Sequence, residues 1–186
     1  MLGVDLYRLH DGTPVEIREI RADDGERLQA SYARLSPESR YRRFLGAKPT
    51  LSEADARYLA EIDGCGHYAL VATTSVDGHQ GEIIAVARFV ALPETPGAAE
   101  FAIVVGDAYQ RQGLASGLMD RLAAAAVARG IERFRAVTLS ENAAIRRLLA
   151  RLAVGDVQTQ VRGEVTEMEI GLTAREAFGD RLGAAA

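Results

Sequence analysis

The segment from Glu100 to Leu118 reads Glu-Phe-Ala-Ile-Val-Val-Gly-Asp-Ala-Tyr-Gln-Arg-Gln-Gly-Leu-Ala-Ser-Gly-Leu, and it constrains the fold more than any other stretch. An apolar run with strand character, Ala99 to Gly106, enters a short loop that holds Gln110, Gly113 and Ala115. Leu114, Leu118, Leu122 and Ala125 then recur at helical spacing, so an amphipathic helix opens at the loop. A helix that starts at the end of a strand presents N–H groups without intrahelical acceptors and roughly +0.5 of an elementary charge. Such a terminus binds phosphates. Gly113 and Ala115 have almost no side chain, so a pyrophosphate can approach the main chain closely.

The loop is not one of the common nucleotide loops. No Lys follows Gly113 or Gly117, as a P-loop requires, and their spacing does not fit the dinucleotide fingerprint. A second strand-like run, Phe134 to Leu139, is followed by Ser140-Glu141-Asn142 and then by Ile145, Leu148, Leu149 and Leu152 at helical spacing. Asn142 offers a side-chain amide near a strand end, where it can hydrogen-bond a ligand, cap the next helix, or both.

The loop, with Val105 five residues before Gln110, resembles motif A of the GNAT superfamily of acyl-CoA-dependent N-acyltransferases. The stretch around Asn142 resembles motif B of that family. In the front half, Leu35-Ser36-Pro37-Glu38-Ser39-Arg40-Tyr41-Arg42-Arg43-Phe44, Leu51-Ser52-Glu53, Ile62-Asp63 and His67 to Ala72 resemble the GNAT module of bacterial protein-lysine acetyltransferases. The resemblance spans roughly residues 15 to 172. It implies a single domain over residues 1–186, with a core of about 15–172 and a tail of 173–186. It also implies acetyl-CoA as co-substrate, held by Val104, Val105, Gln110, Arg111, Gln112, Gly113, Leu114, Ala115, Ser116, Asn142 and Leu149. Two positions depart from the family. Where many relatives carry a Tyr that protonates the CoA thiolate, this chain has Leu149, and Ala153-Val154 replaces the usual Gly-Phe at the helix end.

The order of elements follows from pattern. Val15 to Ile20 alternates as a first strand, and Asp23-Asp24 can cap a helix through Leu35. Ser36-Pro37-Glu38 is a helix start, and Ser52 with Asp55 resembles a capping box for a helix ending near Ile62. His67 to Val76 and Glu82 to Leu92 are strands joined by the polar turn Asp77 to Gly81. The helix after the phosphate loop runs to about Arg129 and stops at Gly130. Val157 to Arg162 and Val165 to Leu172 form a closing hairpin around Gly163. The class is α/β (α+β), a mixed sheet with helices on both faces. The resemblance makes that sheet mostly antiparallel, of about seven strands, with the fourth and fifth diverging to admit the cofactor.

A length of 186 residues, 48% of them hydrophobic and 26% charged, suits a substantial soluble core. The net charge of −4 argues against a nucleic-acid surface, and no apolar run approaches a membrane span. The N-terminal segment does not read as a signal peptide. The single cysteine, Cys65, fits a reducing cytoplasm. His10, His67 and His79 lie far apart without partners at ligand spacing, so no metal is expected.

N-acylation needs a neutral amine, whereas lysine arrives protonated with a reference pKa of about 10.4. Some group must take the proton, and donors must meet the carbonyl oxygen as it gains charge; backbone N–H groups near Val104 and Val105 suit that second role. Glu100 is the leading base: it is the lone carboxylate beside the run Phe101 to Val105, where desolvation would raise its pKa. The family's Ala-Glu-Phe-Ala element likewise assigns it a catalytic glutamate. The alternative is a strand-edge Glu facing solvent. Ser140 can cap a helix or touch the ligand; Arg111 can pair with a CoA phosphate; Arg40, Arg42 and Arg43 are a solvated helix face or a ligand contact. The acceptor is most readily a protein lysine; a small amine, or a non-catalytic acyl-CoA sensor motivated by Leu149, are the alternatives, and a homodimer is left open.

Overall fold

A computed structural model describes residues 5–76, 79–153 and 157–172. The phosphate-loop region folds as its pattern predicts. Strand β5 (Ala98–Val105) ends at Gly106 and passes through a short 3-10 turn (Asp107–Tyr109). Helix α4 (Leu114–Val127) begins at once, with Leu114, Leu118 and Leu122 each at most 1% exposed. Gly130 ends that region at φ +79°, a left-handed conformation open to glycine.

Before β5 come β1 (Asp5–Arg8), β2 (Pro14–Glu19), α1 (Gly25–Ala33), α2 (Pro37–Phe44), α3 (Glu53–Ala60), β3 (His67–Val76) and β4 (His79–Ala91). After α4 come β6 (Arg133–Leu139), α5 (Ala143–Leu152), β7 (Gln158–Arg162) and β8 (Val165–Gly171). They form one sheet of eight strands in the order β1-β2-β3-β4-β5-β6-β8-β7. The expected count of about seven omitted β1, whose four residues DLYR carry too short a pattern to read. Strand β4 also begins earlier than expected, because His79 already pairs with Val76. Val154 and the tail from Thr173 lie outside the described residues.

Every pairing is antiparallel except β5 with β6, which run parallel only at Ala98–Arg133, Ala99–Phe134 and Glu100–Arg135. Beyond Glu100 the two strands part, and among the described residues the β6-side edge of 101–105 has no strand partner. That divergence opens the cleft.

Each sheet face is covered. On one side α4 and α5 bury Leu114, Leu118, Met119, Leu122, Leu149 and Leu152 against Tyr68, Phe89, Phe101 and Phe134. On the other, α1 and α3 bury Leu28, Tyr32, Ala56 and Ala60 against Ala69, Val71, Ile83 and Val86. Caps set two helix starts. Ser36 accepts from the Ser39 N–H ahead of Pro37, and Ser52 with Asp55 forms the reciprocal box. Asp24 does not cap α1 through its side chain. Its carboxylate is fully buried, accepts two hydrogen bonds from Arg18 at 2.7 and 2.8 Å, and meets Arg27 at 2.7 Å.

Candidate active site

A cleft of about 450 Å³ lies beside the part of β5 that has left β6. Its walls come from β5 (Ile103, Val104, Val105), the phosphate loop (Tyr109, Gln110, Arg111, Gly113), the first turn of α4 (Ala115, Ser116), α5 (Asn142, Ile145, Leu148) and α2 (Ser39, Arg42, Arg43).

The loop conformation presents the helix end. Gly113, the residue before α4, sits at φ +82°, and Arg111 at φ +60°. These left-handed residues turn the chain sharply, and Gly113 does so without steric cost. Among the described residues, the N–H groups of Leu114, Ala115 and Ser116 meet no acceptor. They are the free donors of a helix N-terminus, aimed at the cleft mouth. Arg111, Arg147 and Arg151 line the same cleft and add positive charge; Arg151 also reaches Asp120 at 3.0 Å.

Gly113 and Gly117 have a second role that their sequence context did not disclose. A Cβ on Gly113 would stand 2.5 Å from His10 Nε2, and one on Gly117 would stand 2.6 Å from the Tyr7 ring. Tyr7 also donates its hydroxyl to the Gly113 carbonyl at 3.1 Å. The strand β1 and the turn after it therefore pack against the start of α4 and brace it.

Gln110 turns its amide inward. It donates to the Val105 carbonyl at 3.1 Å and to Ser39 Oγ at 3.3 Å, so it closes the loop rather than reaching freely into the cleft. Asp107 works alongside it. Its carboxylate accepts from Ser36 N–H at 2.8 Å, Ser36 Oγ at 2.9 Å and Ser39 Oγ at 2.7 Å. Burial acts to raise the Asp107 pKa, but these donors from Ser36 and Ser39 outweigh it and hold the carboxyl below its ordinary value. Asp107 thus ties the N-terminus of α2 to the phosphate loop, which brings Arg42 and Arg43 to the cleft wall.

Asn142 caps α5, its Oδ1 accepting from the Ile145 N–H at 3.3 Å, and the residue also lines the cleft. Ser140 does neither of the things expected; its hydroxyl bonds Thr166 Oγ1 at 2.8 Å. Leu149 is a correction. It is 1% exposed and packs in the core, because the apolar stripe of α5 turns toward the sheet. Its side chain is not a cleft wall, whereas Ile145 and Leu148 on the adjoining flank are. Leu114 is likewise buried and leaves only its N–H without an acceptor; Gln112 is not among the cleft-lining residues, and its carbonyl accepts from His10 N–H at 3.1 Å.

Glu100 is exposed at the strand edge, the alternative its sequence position left open, and it is not among the residues that line the cleft. It is the last β5 residue paired with β6 before the strands part. Burial lowers the pKa of Arg43, and Glu100 is the larger of the influences that oppose this. Arg40, by contrast, is structural: it donates to the Pro49 carbonyl at 2.9 Å and the Ala33 carbonyl at 2.7 Å. Sequence pattern missed Arg147 and Arg151; their i,i+4 spacing on the flank of α5 opposite Leu149 was the available signal. Among the described residues no group of three or more His, Cys, Asp or Glu is placed to hold a metal ion. No helix among them is long and apolar enough to cross a membrane.

Residues 32–153 match the acetyltransferase (GNAT) family, and the chain belongs to it. The chain is 36% identical over 155 residues to acetyltransferase Pat of Mycolicibacterium smegmatis, covering 83% of this chain and 45% of that one. An acetyltransferase of Pseudomonas aeruginosa is 36% identical over 144 residues, or 77% of this chain and 76% of the other. The crystal structure of the GNAT domain of S. lividans PAT superposes with a TM-score of 0.77 at 31% identity, over 91% of this chain and 97% of that one. The chain thus spans less than half the length of the Mycolicibacterium relative.

Proposed function

We propose that this chain transfers an acetyl group from acetyl-CoA to the side-chain amine of a protein lysine. The observation that carries the reading is the set of free N–H groups at Leu114, Ala115 and Ser116, opening on the cleft where β5 leaves β6. The helix end would hold the pyrophosphate, and Arg111, Arg147 and Arg151 would meet further phosphate charge. Ile145, Leu148 and Asn142 would line the pantetheine arm, and the unpaired edge at Val104 and Val105 would bring the thioester against β5. Backbone N–H groups there would stabilise the carbonyl oxygen.

In the reaction the amine nitrogen forms a bond to the thioester carbon and the carbon–sulfur bond breaks. The CoA thiolate leaves, and the amine proton passes to Glu100, directly or through a water. Glu100 is suited to this by its place at the fork of the strands. A thiolate leaves readily because thiol reference pKa values lie near 8.5, so the absence of a Tyr at position 149 does not prevent turnover. The resemblance of the front half, Leu35 to Phe44 and His67 to Ala72, to the GNAT module of bacterial protein-lysine acetyltransferases supports a protein acceptor.

The test is an acceptor screen with acetyl-CoA, reading free-thiol release against lysine peptides and against small amines. Faster release with lysine peptides supports the reading. Release with small amines alone moves the acceptor class, and acetyl-CoA binding without release to any amine makes the chain a sensor.

A further inference from the structure

Arg88 lies in the middle of β4 and is only 5% exposed, yet no carboxylate among the described residues pairs with it. Its guanidinium donates to His67 Nε2 at 3.0 Å and to the Leu59 carbonyl at 3.0 Å. A guanidinium carries five N–H groups, so these two bonds leave donors uncommitted. The fold treats another arginine of equal burial differently: Arg18, also 5% exposed, is held by both oxygens of Asp24. A buried cation without a counter-charge is costly, and that cost is recovered only when an anion arrives.

Arg88 lines a second, smaller cavity together with Arg43, and its other walls include Leu28, Leu35 and Val86. Arg43 and Val104 border both this cavity and the main cleft, so the two spaces are neighbours along β5. The volume is about 40 Å³. By the measure in which one water needs roughly 10–15 Å³, that is room for a carboxylate with a methylene, not for a nucleotide. Burial, and next the charge of Arg43, push the Arg88 guanidinium down to about 9. The two positive charges repel each other across this cavity, and among the described residues no carboxylate pairs with Arg88.

We propose that the Arg43–Arg88 cavity is a carboxylate subsite beside the reacting thioester. It takes the terminal carboxylate of a short dicarboxylic acyl group on CoA, or the carboxylate of an amine acceptor. The guanidinium fork matches a carboxylate bidentately, and the apolar walls suit the methylenes that carry it. The inference rests on the acyl-transfer reading for the position of the ligand, but not for the chemistry of the pocket.

Two arms separate the sources. In the first, calorimetry measures succinyl-CoA and acetyl-CoA binding to the wild type and to Arg88→Met. The ratio of succinyl-CoA to acetyl-CoA affinity should fall at least about tenfold in the variant, the scale of a lost charged hydrogen-bond pair. In the second, glycine and glycinamide compete against acetyl transfer; inhibition by glycine alone, abolished in Arg88→Met, assigns the site to the acceptor. An unchanged ratio together with no glycine effect overturns the subsite. If the wild type binds no acyl-CoA at all, the acyl-transfer reading fails instead. Thermal shifts with free succinate and neutral succinamide still test the pocket in that case, and equally if Arg88→Met does not fold. Stabilisation by succinate alone supports the subsite, and an equal response to both overturns it.

Discussion

Replacing Ala115 with aspartate would separate phosphate binding from helix stability. Ala115 is the second residue of α4, half-buried at the cleft wall, with a free N–H. A carboxylate in the first helical turn complements the macrodipole, so Ala115→Asp should hold or raise the melting temperature, worth about 0.3–1 kcal/mol. The same carboxylate would sit where the pyrophosphate binds. Two unit charges about 5 Å apart repel by about 3 kcal/mol at an effective dielectric constant near 20. One such pair weakens acetyl-CoA by about 150-fold, since each 1.4 kcal/mol is about tenfold. Gly113→Asp is the poorer test, because the φ of +82° and the approach of His10 would strain the fold as well. The assay is calorimetric titration with acetyl-CoA beside a thermal melt. Acetyl-CoA affinity within about threefold of wild type, in a protein whose melt is unchanged, would refute the phosphate site.

Asp107→Ala should cost about 1–2 kcal/mol by thermal melt, because an exposed carboxylate is screened, and should weaken acetyl-CoA binding as α2 swings from the loop. Asp24→Ala should be far more damaging, about 3–5 kcal/mol by denaturant titration, since it strands the buried Arg18. Asp55 is held down to about 2 by hydrogen bonds from Lys48 and Ser52, and Asp107 is lowered too. Their folded-state pKa values are depressed, so their contribution is full above the unfolded value of about 3.9 and is lost as pH falls through the folded values. Melting temperature should therefore drop between about pH 4 and pH 2, and a flat profile there would contradict these assignments.

Most of the fold was legible because it rests on local rules. The cap at Ser36-Pro37, the box at Ser52 and Asp55, and the stripe Leu114, Leu118, Leu122 each need only a few neighbouring residues. What escaped depends on residues distant in sequence. The four-residue β1 is defined by pairing with β2 and by Tyr7 packing on Gly117, which no local pattern carries. Asp24 looked like a cap and is instead the counter-charge of Arg18. At Leu149 the family position pointed to the cofactor, while the helix stripe, also visible in sequence, pointed to the core where the side chain lies. Arg88 sits in a strand between apolar residues, and nothing in ARFVA shows whether its partner is a carboxylate or a cavity.

The proposed chemistry turns on Glu100, and Glu100→Gln tests it most directly. The amide keeps the size of the side chain but cannot take a proton. With the phosphates held by the separate loop, acetyl-CoA affinity should be preserved while kcat falls by about 10²–10⁴, the usual cost of losing a general base. Partial recovery at high pH should follow, as more of the acceptor amine becomes neutral. Turnover within about twofold of the wild type, measured on the folded variant with acetyl-CoA affinity unchanged, would contradict Glu100 as the base.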